Sequence, residues 1–387
     1  MPIQEKISSP TTKMDYFPAL TGVRAMASIM VYFTHFNPFS GRFFGRYIPA
    51  FINQFHTGVT IFFVLSGFLI CYRYEDGFRH KTLSKRNYFV SRLAKIYPVY
   101  FLITIWTFLP FVTHGVFRPG IFLLNISFLR GFFDEYRFTG DPSGWSLTVE
   151  ELFYLLFPLM VLFSRKVPYL LQALLFLLFG VVLTVIFRLV SFHGFFGSFL
   201  SLFEYSFFGR CFEFYTGIML ARYVRKKIAE GYEGRRAGMP WRTIAGAGWM
   251  ILCIGLMAAN AHWNMVKKPD AFLFFETLLN NFLLPPGIAL FFLGLIFERS
   301  WWQRLLVTPL LTTLGKSSYV FYLIHVPLFS LFYFGWFAQK PLPTFLCMEI
   351  LAWLLYIGVE HPLNALIRRK FLKPSRKNPI SAANQLA

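Results

Sequence analysis

Arg24 and His35 stand eleven residues apart in an apolar stretch, with no other charged or imidazole side chain between them. On a helix that spacing is about 1100° of rotation and about 16 Å of rise, which leaves the two side chains about 20° apart on one face. Ionisable groups at membrane depth are costly, so a guanidinium and an imidazole stacked this way ask for a polar passage beside them. The structural alternative is an arginine that snorkels and a histidine that caps the helix end. Glu150 lies in the run Trp145, Ser146, Leu147, Thr148, Val149, Glu150, Glu151. It falls about one turn into a helix that starts on the side where the Arg24–His35 helix ends. A carboxylate beside a neutral imidazole is the arrangement of a general base whose tautomer is fixed. Capping would account for Ser146 and Glu151 but less well for Glu150.

Further along, Arg92 and Lys95 are one turn apart at the entrance of an apolar run and together suit a phosphate group. The rest of the basic stretch from Arg73 reads as a solvated, headgroup-facing loop. Ser66 and Gly67 sit mid-run, where small residues let backbones approach closely. Tyr319, Tyr322 and His325 recur every third residue along one helix side. Ser66, Ser146, Tyr319, Tyr322 and His325 are therefore candidates to hold an acceptor or to donate to an oxyanion. Arg210 and Glu213, near Glu204, read as a structural i, i+3 pair. His56, His80, His114, His193, His262 and His361 are assigned no role, and no group has metal-ligand spacing. Cys71, Cys211, Cys253 and Cys347 share no short spacing and read as small apolar residues.

The elements that must position these groups are membrane helices. Of 387 residues, 56% are hydrophobic and 14% charged, and mean hydropathy is +0.52. Soluble domains do not reach these values. Apolar runs long enough to span a bilayer recur from residue 16 to residue 360, and helices satisfy their own backbone there. The runs predict ten spans, near 16–36, 55–74, 93–112, 146–163, 168–190, 198–222, 243–260, 272–297, 317–337 and 342–360. The stretch 116–133, broken by Pro119, Gly120 and Arg130, reads as an interfacial or re-entrant piece. The fold class expected is thus an all-α polytopic membrane protein, a bundle of about ten transmembrane helices. The net charge of +20 comes from basic residues between apolar runs, which argues for inner loops and against nucleic-acid binding. Most Lys and Arg fall on one side if both termini are cytoplasmic. The domains expected are an amino-terminal cytoplasmic segment over 1–15, a membrane domain over 16–360 and a basic cytoplasmic tail over 361–387, with no cleaved leader and no appended soluble domain.

These segments together resemble the membrane-bound acyltransferase family 3. Arg24 and His35 are similar to the family's arginine and histidine eleven residues apart, and Phe62 to Phe68 to its Phe-Phe-x-x-Ser-Gly-Phe segment. Arg92 to Pro98 resembles its Arg-x-x-Arg-Ile-x-Pro element, with Lys95 in place of the second arginine. Trp145 to Tyr154 resembles its Trp-Ser-Leu-x-x-Glu-x-x-Phe-Tyr run, Tyr319 to His325 its Tyr-x-x-Tyr-Leu-x-His helix, and Glu360 with Pro362 its Glu-x-Pro. The resemblance implies an enzyme of the bacterial cytoplasmic (inner) membrane that moves an acyl group, most often acetyl, from cytoplasmic acyl-CoA to an extracytoplasmic glycan such as a surface polysaccharide or lipopolysaccharide. Phosphates of the donor would dock at Arg92, Lys95 and Arg24. His35, oriented by Glu150, would then activate the sugar hydroxyl, directly or through a transient acyl-histidine. Acyl-CoA is expected as donor substrate and no metal is needed. The partners expected are the bilayer, the acyl-CoA and the glycan, with self-association left open. A multi-span transporter is the competing class, although no inverted repeat is visible, and a scaffold subunit is a third.

Overall fold

The computed structural model describes residues 16–39, 45–190, 192–232, 234, 238–264, 269–336 and 340–372. The segment 1–15 and the tail beyond 372, expected to be cytoplasmic, lie outside the described residues. Every predicted span carries a helix. In chain order these are α1 (Pro18–His35), α2 (Gly58–Arg79), α3 (Lys85–Thr113), α4 (Trp145–Phe163) and α5 (Tyr169–Val190). They continue with α6 (Phe207–Ala229), α7 (Trp241–Asn264), α8 (Leu284–Phe297), α9 (Pro309–Ser330) and α10 (Pro341–Leu355). Among the described residues there is no sheet, only an isolated bridge between Phe133 and Phe195.

Several boundaries differ from the hydropathy reading because backbone bonding, not apolarity, ends a helix. α3 begins at Lys85 rather than near 93, so Arg92 and Lys95 sit inside the helix and not at its entrance. The run 198–222 is two helices, Phe199–Tyr205 and α6. Ser206 between them is extended, and its hydroxyl accepts the Gly209 N–H as an N-cap. π turns over Leu278–Leu283 and Tyr356–Glu360 interrupt the last long runs. The second leads into α11 (His361–Phe371), a helix where a tail was expected; it packs on α3. The stretch 116–133 holds a short helix, Pro119–Ile126, and a 3₁₀ turn, Arg130–Phe132.

Among the described residues, seven helical stretches, those containing α2, α3, α4, α5, α7, α8 and α10, are long and apolar enough to cross a membrane. α5 turns Leu170, Leu174, Leu178, Val182 and Val185 outward. In water such a face would be strongly unfavourable, whereas lipid accepts it. α1, α6 and α9 carry Arg24, the Arg210–Glu213 pair and His325, and they bury much of their length inside the bundle.

Two helix pairs run parallel in the centre. α2 lies along α6, with Thr60 beside Arg210, Cys71 beside Ile218 and Glu75 beside Arg225. Their contact is backbone-close: a Cβ on Gly67 would strike the Phe214 backbone, and one on Gly217 the Val64 carbonyl. α1 lies along α9, with Arg24 beside Ser318 and His35 beside His325.

Candidate active site

The site is a column of polar groups in layers along the bundle. At one end α1 stops at His35, whose side chain is exposed. Its ring lies 5.3 Å, centroid to centroid, from that of His325 on α9. His325 is buried, and its Nδ1 is 2.6 Å from the Tyr322 carbonyl. A carbonyl can only accept, so Nδ1 carries the proton and Nε2 of the neutral ring is an acceptor. Nε2 is buried with no hydrogen-bond partner. His56, on the 3₁₀ turn Gln54–Thr57, is close enough to His35 to interact with it electrostatically.

One layer deeper, the Tyr322 and Ser146 hydroxyls share a 2.8 Å hydrogen bond, and both reach the Ser143 carbonyl, at 3.2 and 3.1 Å. The turn that holds Ser143 is built by groups the sequence reading passed over. Asp141 accepts the Ser143 N–H at 2.9 Å. Arg130, read from sequence as a helix breaker, is fully buried and bonds to Asn125 Oδ1 at 2.6 Å and to the carbonyls of Thr139 and Asp141. Its burial in an apolar segment was the available signal, since a cation there needs partners.

The next layer contains Arg24 and Glu150. Arg24 Nε donates to Ser318 at 3.3 Å. Glu150 Oε1 accepts from both the Ser66 and Tyr154 hydroxyls, which ties α2 to α4. The expected pairing of Glu150 with His35 is not formed. Since Tyr322 is level with Ser146, Glu150 lies about 6 Å inward of that layer, whereas His325 and His35 lie about 4.5 Å or more outward. The two catalytic candidates therefore occupy different layers, and His325 takes the place beside His35.

At the far end, Lys95 is paired with Glu360 from the π turn before α11. This joins two of the motifs singled out in sequence and balances the lysine's charge. Arg92 donates to the Tyr74 hydroxyl at 2.9 Å, and its guanidinium lies 5.2 Å from the Tyr74 ring centroid and 5.8 Å from that of Tyr154. Tyr319 donates to the Ile96 carbonyl at 2.7 Å and fastens α9 to α3. The ten residues singled out in sequence thus fall in successive layers of the bundle, from Arg92 and Lys95 at one end to His325 and His35 at the other.

Arg210 and Glu213 form the predicted ion pair, at 2.8 Å, both buried. Arg210 also donates to Thr60 at 2.9 Å, and Thr60 to Asn280 on the π turn at 2.7 Å. With its partners satisfied, this network fastens α2, α6 and the π turn before α8 together. No group of His, Cys, Asp and Glu among the described residues could hold a metal ion.

Comparison with known proteins gives the family. O-acetyltransferase OatA of Staphylococcus aureus (strain NCTC 8325 / PS 47) is 30% identical over 177 residues, which cover 41% of this chain and 26% of OatA. "Putative O-acetyltransferase SACOL0978" of Staphylococcus aureus (strain COL) is 21% identical over 395 residues, covering 96% of this chain and 59% of the relative. The chain thus spans only part of the length of these relatives. No solved structure matches it. The family model described as an acyltransferase domain matches residues 17–359, nearly the whole of the described column and its scaffold, and the chain belongs to the membrane-bound acyltransferase family 3.

Proposed function

We propose that this chain is an O-acyltransferase of the cytoplasmic membrane that takes an acyl group, acetyl in the first instance, from acyl-CoA in the cytoplasm and passes it to a hydroxyl of an extracytoplasmic glycan. One observation carries the reading: polar side chains recur in layers along the bundle, with Arg92 and Lys95 at one end, Arg24 and Glu150 between, and the His325 and His35 imidazoles at the other. A donor and an acceptor on opposite sides of a bilayer need a polar path between them. In this reading the chain crosses ten times with both termini in the cytoplasm, which puts Arg92 on the inner side and His35 on the outer. The parallel pairs α1–α9 and α2–α6 support the alternation, because each pair is separated by an even number of crossings.

The donor's phosphates dock at Arg92, with Lys95 and Arg24 beyond it, and the pantetheine arm runs up the column past Glu150 and Ser66. Glu150 serves there as a charged post in the passage, away from the imidazole. At the outer end His35 takes the proton of the sugar hydroxyl as its oxygen attacks the thioester carbonyl. In this reading the Tyr322–Ser146 hydroxyl pair, one layer deeper, turns from the Ser143 carbonyl to donate to the oxyanion, and the thiolate leaves with the proton from His35. A His35→Ala protein, inserted and folded as the wild type, is expected to lose about 10²–10⁴-fold in labelled acetyl transfer from acetyl-CoA to envelope glycan. Wild-type transfer by that variant would remove the proposed base, and vesicle uptake of a solute without chemistry would favour a transporter instead.

A further inference from the structure

Beyond Arg92, at the same end of the bundle, a small cleft of about 30 Å³ lies between α2, α3 and α11. It is lined by Arg73, Tyr74, Asn87, Ser91 and Arg368, with Leu83 and Leu372 as apolar walls. Two guanidinium groups lie against the Tyr74 ring, and a third, that of Arg368, lines the same cleft. Arg92 bonds the Tyr74 hydroxyl, Arg73 lies 5.9 Å from the ring centroid, and Arg368 is close enough to feel Tyr74, Arg73 and Arg92 electrostatically. None of the three forms an ion pair with a carboxylate among the described residues. The neighbouring carboxylates are engaged elsewhere: Glu75 with Arg79, Arg222 and Arg225, Asp76 with Arg225, and Glu360 with Lys95. Glu151 lies near Arg92, one carboxylate for three cations. The Nε atoms of Arg92 and Arg368 are buried with no acceptor.

Three neighbouring cations without an ion-pair partner among the described residues, two of them with an unfilled buried Nε, are the makings of an anion site. Guanidinium forks match phosphate oxygens in pairs. We propose that this cleft seats one phosphate group of the nucleotide end of the acyl donor, its 3′-phosphomonoester, with Arg73 and Arg368 as ligands additional to Arg92. The assignment rests on the acyl-CoA reading above and moves the weight of donor recognition from Lys95, already neutralised by Glu360, to arginines that no motif singled out. From the cleft, Arg92 leads directly to Tyr154 and Glu150, the start of the path for the pantetheine arm.

The test uses the full chain in nanodiscs. Wild-type protein is expected to bind adenosine 3′,5′-bisphosphate and CoA, and to bind CoA lacking its 3′-phosphate less tightly. The double variant Arg73→Gln/Arg368→Gln, with the single Arg73→Gln as a milder control should the double variant fold poorly, is expected to weaken CoA binding about tenfold or more, raise KM for acetyl-CoA to a similar extent and narrow the difference between the two CoA forms. Unchanged KM and affinity in a folded variant, while wild type transfers acetyl from acetyl-CoA, would overturn this site alone. Failure of the wild type to bind CoA or to use acetyl-CoA would overturn the donor reading with it. Retention of phosphatidylglycerol at the cleft, undisplaced by the nucleotide, would assign the arginines to a lipid headgroup and also overturn the proposal.

Discussion

With His35 as the proposed base, its place beside His325 has a consequence that neither residue has alone. Because Nδ1 of His325 is held by the Tyr322 carbonyl, its Nε2 can accept a hydrogen bond from an N–H of His35 and thereby select that ring's tautomer. His325→Ala is accordingly expected to lower kcat about tenfold or more with KM for the donor little changed, and to shift the pH profile of kcat. Glu150→Gln keeps the oxygen that accepts from Ser66 and Tyr154. It should fold normally and leave that pH profile in place. A Glu150→Gln protein whose pH profile shifts like that of His325→Ala would restore Glu150 as the orienting group. At this scale the sequence was informative where the chemistry is local. Arg24 and His35 share a face because the helical period alone decides it. Glu150's partner was not legible, since depth depends on where each helix starts relative to its neighbours. His56 and Arg130 were missed for a related reason: turns bring them inward, and periodicity says nothing about turns.

The ten apolar runs all became helices, because a run of that length in lipid has no other way to satisfy its backbone. Their interruptions were not legible. Ser206 divides a continuous apolar run through a cap hydrogen bond, and the π turn at Tyr356–Glu360 re-aims Glu360 toward Lys95, which is a matter of packing. The contact of α2 with α6 is the tightest test of how the elements fit. Removing one partner of the buried Arg210–Glu213 pair leaves an uncompensated charge, so Glu213→Ala is expected to destabilise the fold by about 3–5 kcal/mol. Its measure is the detergent-solubilised unfolding midpoint. A variant as stable as wild type would mean the pair is solvated and not the fastening of α2 to α6.

At the level of the whole molecule, hydropathy and basic loops gave a topology, and the parallel central pairs are compatible with it. Ten crossings with both termini inside place residue 115, after three spans, on the opposite side from residue 238, after six. In intact cells an impermeant thiol reagent is expected to label Gly115→Cys and not Gly238→Cys, each introduced into a chain whose native cysteines are replaced. Labelling of both would require a different number of crossings between them, and the reverse pattern would put both termini outside.

The proposed transfer across the bilayer can be examined with oriented protein in sealed proteoliposomes supplied with labelled acetyl-CoA on one face and a glycan acceptor on the other. Label is expected on the acceptor only when donor is on the face of Arg92 and acceptor on the face of His35, and it should vanish with His35→Ala. Label appearing only when donor and acceptor share a face, or persisting at the wild-type rate without His35, would contradict a passage that joins the two ends.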